Sequence, residues 1–330
     1  MQQHLFLKRL SRWIAGFFAA GIILWGIGWI FLSSPTMYEH NSQLDLVVPK
    51  AGTFKQERDE NWVTSHFGDW GLEKNDSRKI AQGDVKTVII GDSYIEANMI
   101  PPEQRMQHWV GDDAIGIGFS GFDFDDYLEI LPKYLKYAPN VENIVIFMGD
   151  IYDIVPASRK NTVFQKVSTH ADYISYRYHL YSFRRLYRKF RLHEWDFIGN
   201  KRVSAVSEME HVVWDTTTQV YLQQQLERLN DIAENKSILI VYAPQIPNIT
   251  GNQIILDDSQ QEYIDHFSSL CQDEKIKFIN LGPLFIREYF ERKCFPRGFF
   301  NTPVGQGHLN EFGHRLAGET IRRFIRDRIE

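Results

Sequence analysis

The 330-residue chain has only two cysteines, Cys271 and Cys294. They form no CxxC pair and fit no metal-ligand spacing, so nothing sulfur-based of the zinc-finger or thioredoxin kind is encoded. Free thiols are the expectation, with a disulfide left open for an oxidising compartment. No internal repeat and no low-complexity run occurs, which argues against a solenoid or a long compositionally biased tract. An excess of basic residues is missing as well. The formal net charge is −5, and nothing global suggests nucleic acid as a partner. One stretch lacks charge of either sign: Trp13 to Leu32, "WIAGFFAAGIILWGIGWIFL".

Twenty uncharged residues suffice to cross a bilayer as a helix. Lys8, Arg9 and Arg12 precede the stretch, and residues 1–33 hold no acidic side chain. The positive-inside rule then places the N-terminus in the cytoplasm and the remainder outside, in the periplasm if the cell is Gram-negative. Trp13, Trp25 and Trp29 suit interfacial positions. A cleavable signal peptide normally has a shorter apolar region and a small-x-small cleavage site, and "FLSSPTMY" offers no strong one. Residues 1–33 are therefore read as an uncleaved single-pass anchor, with a buried soluble helix as the alternative. By subtraction, residues 34–330 carry about −8.

Residues 34–84 are polar and read as a linker and lead-in. From 85 onward the pattern alternates. Continuous apolar runs at 85–90, 114–121, 143–149, 237–244 and 276–282 predict strands. Helical spacing predicts helices near 101–110, 124–138, 216–235, 259–273 and 310–329, with Pro132 expected to kink or split the second. Apolar strands separated by helices imply a parallel sheet covered on both faces. Ligands of such sheets bind outside the strands' carboxyl ends. Gly91-Asp92-Ser93, Gly118–Gly121, Gly149-Asp150 and Ala243-Pro244 all fall at such ends. The domain is expected over 85–330, interrupted by an insertion at about 151–215. Within it, Arg177 to Arg202 holds eight Lys/Arg against Glu194 and Asp196, and Tyr176 to Phe197 holds eight aromatic residues. It could lie on an anionic membrane, cap a site, bind an acidic glycan, or simply pack on the domain. The acids Asp123, Asp125 and Asp126 read as a helix N-terminus favoured by the dipole.

In "KTVIIGDSYIEANMI" (86–100) a β-branched strand stops on Gly-Asp-Ser. A turn serine is one reading; a nucleophile at the sheet rim is the other. A serine hydroxyl needs a base to take its proton. His308, in "GQGHLNEFGHRLAGE" (305–319), is the candidate, in a glycine-containing loop before the last helix. Asn310 can cap that helix, and Gly313 lets it pack closely. His314 reads as structural.

These blocks, in this order, resemble the SGNH or GDSL-type hydrolases. The resemblance rests on Gly91-Asp92-Ser93, the glycines after the second strand, and the His-x-Asn-x-x-Gly-His pattern from His308 to His314. It implies a flavodoxin-like three-layer α/β/α sandwich with a central parallel sheet, which agrees with the alternation. It also implies ester chemistry. Ser93 attacks an acyl carbonyl, and His308 accepts its proton and passes it to the leaving alcohol. The N–H groups of Ser93 and of Gly121, or else Gly118, stabilise the oxyanion. Asp92 orients the turn. The family's asparagine of the third block is missing from "FMGDIYD": Gly149 or Ile151 stands there, and only Asp150 is kept. The acid usually found two or three residues before the histidine is also missing, since Gln306 and Gly305 occupy those positions. Asp150, Asp153 or a backbone carbonyl are the candidates to hold His308 instead.

Taken with the N-terminal anchor and its outward topology, the resemblance implies a membrane-anchored esterase or acyltransferase acting on O-acyl groups, acetyl foremost, of a cell-surface polysaccharide, with protein partners in envelope biosynthesis possible. The alternatives are a catalytically degenerate binder of a glycan or envelope partner, and a lipid-ester hydrolase. A nucleotide-binding reading is poorly served by "GIGFSG". Neither a metal nor an organic cofactor is implied.

Overall fold

The computed structural model describes residues 2–31, 36–57, 59–155, 214–251 and 253–327. The basic, aromatic part of the 151–215 insertion lies outside the described residues. The first helix, α1 (Gln2–Phe31), contains a window, Lys8–Ile27, long and apolar enough to cross a membrane and not buried against the rest of the chain.

Residues 36–84, read from composition as a linker, carry regular structure. Strands β1 (Tyr38–Asn41) and β2 (Leu46–Pro49) pair antiparallel, as do β3 (Phe54–Glu57) and β4 (Val63–His66). Helix α2 (Lys74–Gln82) follows. Four-residue strands offer too few positions for a period to show. They are packed all the same: Leu44, Leu46, Val48, Leu72 and Ile80 belong to the main apolar core. The buried Asp76 carboxylate accepts from Gln107 Nε2 at 2.9 Å and from the Gly116 N–H at 3.1 Å. Buried Arg105 donates to the Ser65 hydroxyl. Each of these bonds leaves a stranded buried polar group if cut, and they tie the segment to the sheet and helices that follow.

The central sheet is built from β5 (Thr87–Gly91), β6 (Ala114–Gly118), β7 (Asn143–Met148), β8 (Ser237–Tyr242) and β11 (Lys277–Asn280). A small hairpin, β9 (Asn248–Thr250) and β10 (Gln253–Ile255), stands apart. The helices are α3 (Ser93–Glu96), α4 (Met106–Val110), α5 (Phe124–Leu135), α6 (Thr216–Ala233), α7 (Gln261–Asp273), α8 (Gly282–Arg292) and α9 (Glu311–Arg326). The sheet order is β11-β8-β7-β5-β6, every pair parallel. In order of appearance the strands lie 2-1-3-4-5, the flavodoxin-like arrangement.

Both faces are covered. Along β5, Val88 and Ile90 point into the cluster shared with Leu128, Leu226 and Phe267 of α5, α6 and α7. Ile89 points the other way, into the cluster of Met106, Phe285 and Leu316 on α4, α8 and α9. Side chains alternate with period two, and because both sides are apolar the strands read as unbroken hydrophobic runs.

Pro132 does not split α5, which continues to Leu135. The residue cannot donate to the carbonyl of Leu128 four positions back. The Arg228 guanidinium from α6 reaches that oxygen at 3.5 Å, and helix packing holds the turn together.

The chain leaves β5 for β6 on one side and returns to β7 on the other. The crevice at such a reversal opens at the carboxyl end of the central strand. Here that end is Gly91-Asp92-Ser93.

Candidate active site

The turn after β5 is built by three small or polar residues with separate tasks. Gly91 is the last residue of the strand; a Cβ there would lie 2.7 Å from Ile95 Cγ1 and 2.8 Å from the Phe147 carbonyl oxygen. Asp92 caps α3, its carboxylate accepting from the Tyr94 N–H at 2.9 Å. Ser93 is then the first residue of a one-turn helix, its hydroxyl 3.2 Å from Asp92 Oδ2. The N–H groups of a first helical turn have no partner within the helix.

His308 comes from 215 residues further along the chain and lies with Nε2 2.9 Å from Ser93 Oγ. Its backbone is held on both sides: the Gly298 N–H donates to the His308 carbonyl at 3.1 Å, and the Asn310 N–H to the Pro296 carbonyl at 2.9 Å. Asn310 caps α9 by accepting from the Gly313 N–H at 3.0 Å.

The other ring nitrogen, His308 Nδ1, lies 3.0 Å from both Oε1 and Oε2 of Glu60. Glu60 sits in the loop joining β3 to β4, within the lead-in. Asn61 Nδ2 donates to the Met99 carbonyl at 2.9 Å, and Asn301 Nδ2 to the Asp59 carbonyl at 2.6 Å. The loop is therefore pinned on both flanks of the carboxylate. A Cβ on Gly307 would approach Glu60 Oε1 to 3.3 Å, so a glycine beside the histidine leaves the carboxylate its room. A carboxylate on Nδ1 fixes the proton there and leaves Nε2 unprotonated, facing the serine hydroxyl. The three groups form one line, Ser93–His308–Glu60. With His308 and Glu60 side chains 27% and 21% exposed, the line is open to solvent.

Asp150 and Asp153, the acids expected to hold His308, are engaged elsewhere. Asp150 accepts from Gln245 Nε2 at 2.6 Å. Asp153 is buried and accepts from the N–H groups of Gly149 at 2.8 Å and Asp150 at 3.1 Å. Burial, and next the charge of Asp92, raise its carboxyl well above the ordinary range. Asp92 is raised as well, by burial. The buried His314 accepts the Met106 N–H at Nδ1, 3.2 Å away, and burial pushes its pKa down to about 3.

Gly118 and Gly121 differ. A Cβ on Gly118 would stand 1.9 Å from the Glu96 nitrogen, so this glycine lets β6 touch the backbone of α3. Gly121 has φ +82° and open space around it. The Phe122 N–H donates to the Phe119 carbonyl at 3.2 Å, which makes Gly121 the third residue of a tight turn of type II character. No hydrogen bond among the described residues takes the Gly121 N–H. At Gly149, where the third-block asparagine could align, a Cβ would sit 2.0 Å from the Tyr94 ring. Tyr94 fills the space a side chain there would need.

Cys271 is buried and Cys294 exposed, and both are free.

No family model and no curated protein sequence matches the chain. Among solved structures, an acetyl xylan esterase is 17% identical, over 73% of this chain and 100% of its own, with a TM-score of 0.41. A two-domain esterase active on acetylated mannans is 9% identical, over 77% of this chain and 54% of its own, TM-score 0.39. Phospholipase A1 from Streptomyces albidoflavus NA297 is 10% identical, over 73% of this chain and 98% of its own, TM-score 0.40.

Proposed function

We propose that the chain is an SGNH-type serine esterase or acyltransferase, anchored by α1 with its catalytic domain outside the cytoplasmic membrane. The observation that carries this reading is the Ser93–His308–Glu60 line at the carboxyl end of the central strand. Ser93 Oγ attacks the ester carbonyl while its proton passes to His308 Nε2. Glu60, on Nδ1, stabilises the imidazolium that forms. The tetrahedral oxyanion is received by the N–H groups of Ser93 and Gly121. Collapse expels the alcohol, which takes the proton from His308 and leaves an acyl-serine. In the second half His308 removes a proton from the acceptor hydroxyl, which attacks the acyl-serine and frees Ser93. Water as acceptor makes a hydrolase, and a sugar hydroxyl makes a transferase. With no asparagine side chain in the hole, turnover is expected to run about 10²–10³-fold below that of a site with the third donor.

The substrate we favour is an O-acyl group, acetyl first, on a cell-surface polysaccharide. Its support is the N-terminal apolar helix with basic residues before it, together with the family resemblance. A blocked or widely separated Ser93–His308 pair would favour a degenerate binding protein; a separation of 2.9 Å in a partly exposed site favours the enzyme.

The test is capture by a serine-reactive fluorophosphonate, using the full-length protein in detergent and a Ser93→Ala control, read by intact mass. A stoichiometric adduct on the wild type alone supports the reading. Acetate release from acetylated glycans against fatty-acid release from lipid esters then fixes the substrate. A folded wild type that takes no adduct sinks the enzyme in favour of the binder.

A further inference from the structure

Arg297 is 1% exposed and is among the largest fully buried side chains. A guanidinium keeps its charge in proteins and carries five N–H donors in a fixed fork. All five are used, and every acceptor is neutral. Nε donates to the Pro244 carbonyl at 3.2 Å. Nη1 donates to the Tyr94 hydroxyl and to the Gly307 carbonyl, the latter at 3.1 Å. Nη2 donates to the Gly149 carbonyl at 3.1 Å and to the Ala243 carbonyl. The guanidinium carbon also lies 4.8 Å from the centre of the Tyr94 ring.

The acceptors have a common location. Gly149 and Ala243-Pro244 are the residues just past the carboxyl ends of β7 and β8. Tyr94 directly follows the candidate nucleophile, and Gly307 directly precedes the candidate base. The Tyr94 and His308 rings are 5.0 Å apart. One desolvated cation therefore ties two strand ends to the residues that flank Ser93 and His308.

The loop it grips would be loose without it. Gly305 and Gly307 both have positive φ, +77° and +87°, and glycine restricts the backbone less than any other residue. A carbonyl bond to the guanidinium fixes Gly307 at the rim, and the Tyr94 hydroxyl on the same nitrogen sets the distance to α3. A buried cation with no carboxylate partner among the described residues is a costly way to stabilise a fold. It is well suited to fixing a register.

We propose that Arg297 is a positioning residue that sets the Ser93–His308 separation by holding Tyr94 and Gly307 on one guanidinium. The inference rests on the esterase reading, and the experiment separates the two. Full-length wild type, Arg297→Lys and Tyr94→Phe are compared in detergent. Three quantities are measured: the rate of fluorophosphonate capture, kcat and KM on a chromogenic acetyl ester, and the low-field proton resonance of His308 Nδ1–H facing Glu60. A lysine keeps the charge but cannot span five acceptors in fork geometry. Capture and kcat are expected to fall about 10²-fold, as for a misplacement near 1 Å. KM should hardly change and the resonance should broaden; the thermal midpoint should fall as well, since a three-donor ammonium strands at least two of the five buried acceptors. Tyr94→Phe, which removes one acceptor, should fall between. Arg297→Lys with wild-type capture and an unchanged resonance overturns the proposal. If that variant does not fold, wild-type capture by Tyr94→Phe overturns it. A wild type that is never captured, but whose His308 resonance is lost in Arg297→Lys, sinks the esterase reading and leaves the positioning role standing.

Discussion

Glu60 and His308 are 248 positions apart in the chain, yet both Glu60 carboxylate oxygens lie 3.0 Å from His308 Nδ1. The acid that orients the candidate base comes from the segment between the apolar N-terminal helix and the parallel sheet. That segment therefore contributes a residue to the candidate site, ahead of residue 85.

Glu60→Gln tests this directly. Glutamine keeps the size and an acceptor oxygen but removes the charge that favours the imidazolium, and its amide can reverse the tautomer. The expected loss is about 10²–10⁴ in kcat, with KM little changed, following the behaviour of acid-to-amide changes in such triads. Because Glu60 is partly exposed, the thermal midpoint should stay near wild type. A wild-type kcat would show that His308 works as a dyad with Ser93 and that Glu60 is incidental.

Much of the domain was legible because its signals are local. The five strands of the sheet, the rim glycines, Ser93 and His308 all belong to short motifs or periodic runs. Glu60 was not. It is one of several acids in a polar stretch, and nothing in "RDENW" marks it. The missing acid before His308 implied a replacement but gave no address, since the contact is made by folding a hairpin loop across the sheet rim. Arg297 was equally silent: its neighbours are backbone carbonyls, which leave no mark on the sequence. Gly118 was legible as a rim glycine, but its steric task, contact with the Glu96 backbone, is visible only in three dimensions.

The two candidate oxyanion glycines should separate under substitution. Gly118→Ala drives a methyl into backbone atoms 1.9–2.6 Å away, which no rotamer change relieves. A loss of at least about 3 kcal/mol is expected, at the upper end of overpacking costs. Gly121→Ala meets open space and suffers only its positive φ, at about 1–2 kcal/mol. It should fold, and capture of Ser93 should slow because the turn relaxes and redirects the Gly121 N–H. Thermal melts and capture rates decide. A normally stable Gly118→Ala, or a fully active Gly121→Ala, contradicts the assignment.

Asp153 gives a pH test of stability rather than of chemistry. Burial raises its carboxyl well above the ordinary 3.8, so the folded chain holds that proton more tightly than the unfolded chain does. The stabilisation is complete below about 3.8 and is lost as pH rises through the raised value. Asparagine keeps an oxygen for the Gly149 and Asp150 N–H groups and does not titrate. Denaturant midpoints measured from about pH 4 to 8 should show Asp153→Asn gaining on wild type as pH increases. Asp92 titrates in both proteins and leaves the sign of the difference unchanged. A gap that stays constant with pH would mean the Asp153 proton is bound equally in the two states.

The orientation across the membrane can be read from the two thiols. Cys294 is exposed and Cys271 buried, and neither is paired. Burial also raises the Cys271 thiol, and thiolate is the form that reacts with maleimide. Cys294 is thus a natural single-site reporter on the domain. If Lys8, Arg9 and Arg12 hold the N-terminus in the cytoplasm, as proposed, a membrane-impermeant maleimide should label right-side-out vesicles at one site per chain. Cys294→Ser should remove that label. Sealed inside-out vesicles should label only after permeabilisation. The reverse pattern would put the Ser93–His308–Glu60 site on the cytoplasmic side, where a cell-surface polysaccharide could not be its substrate. Label in a soluble fraction would mean that α1 does not hold the domain to the membrane.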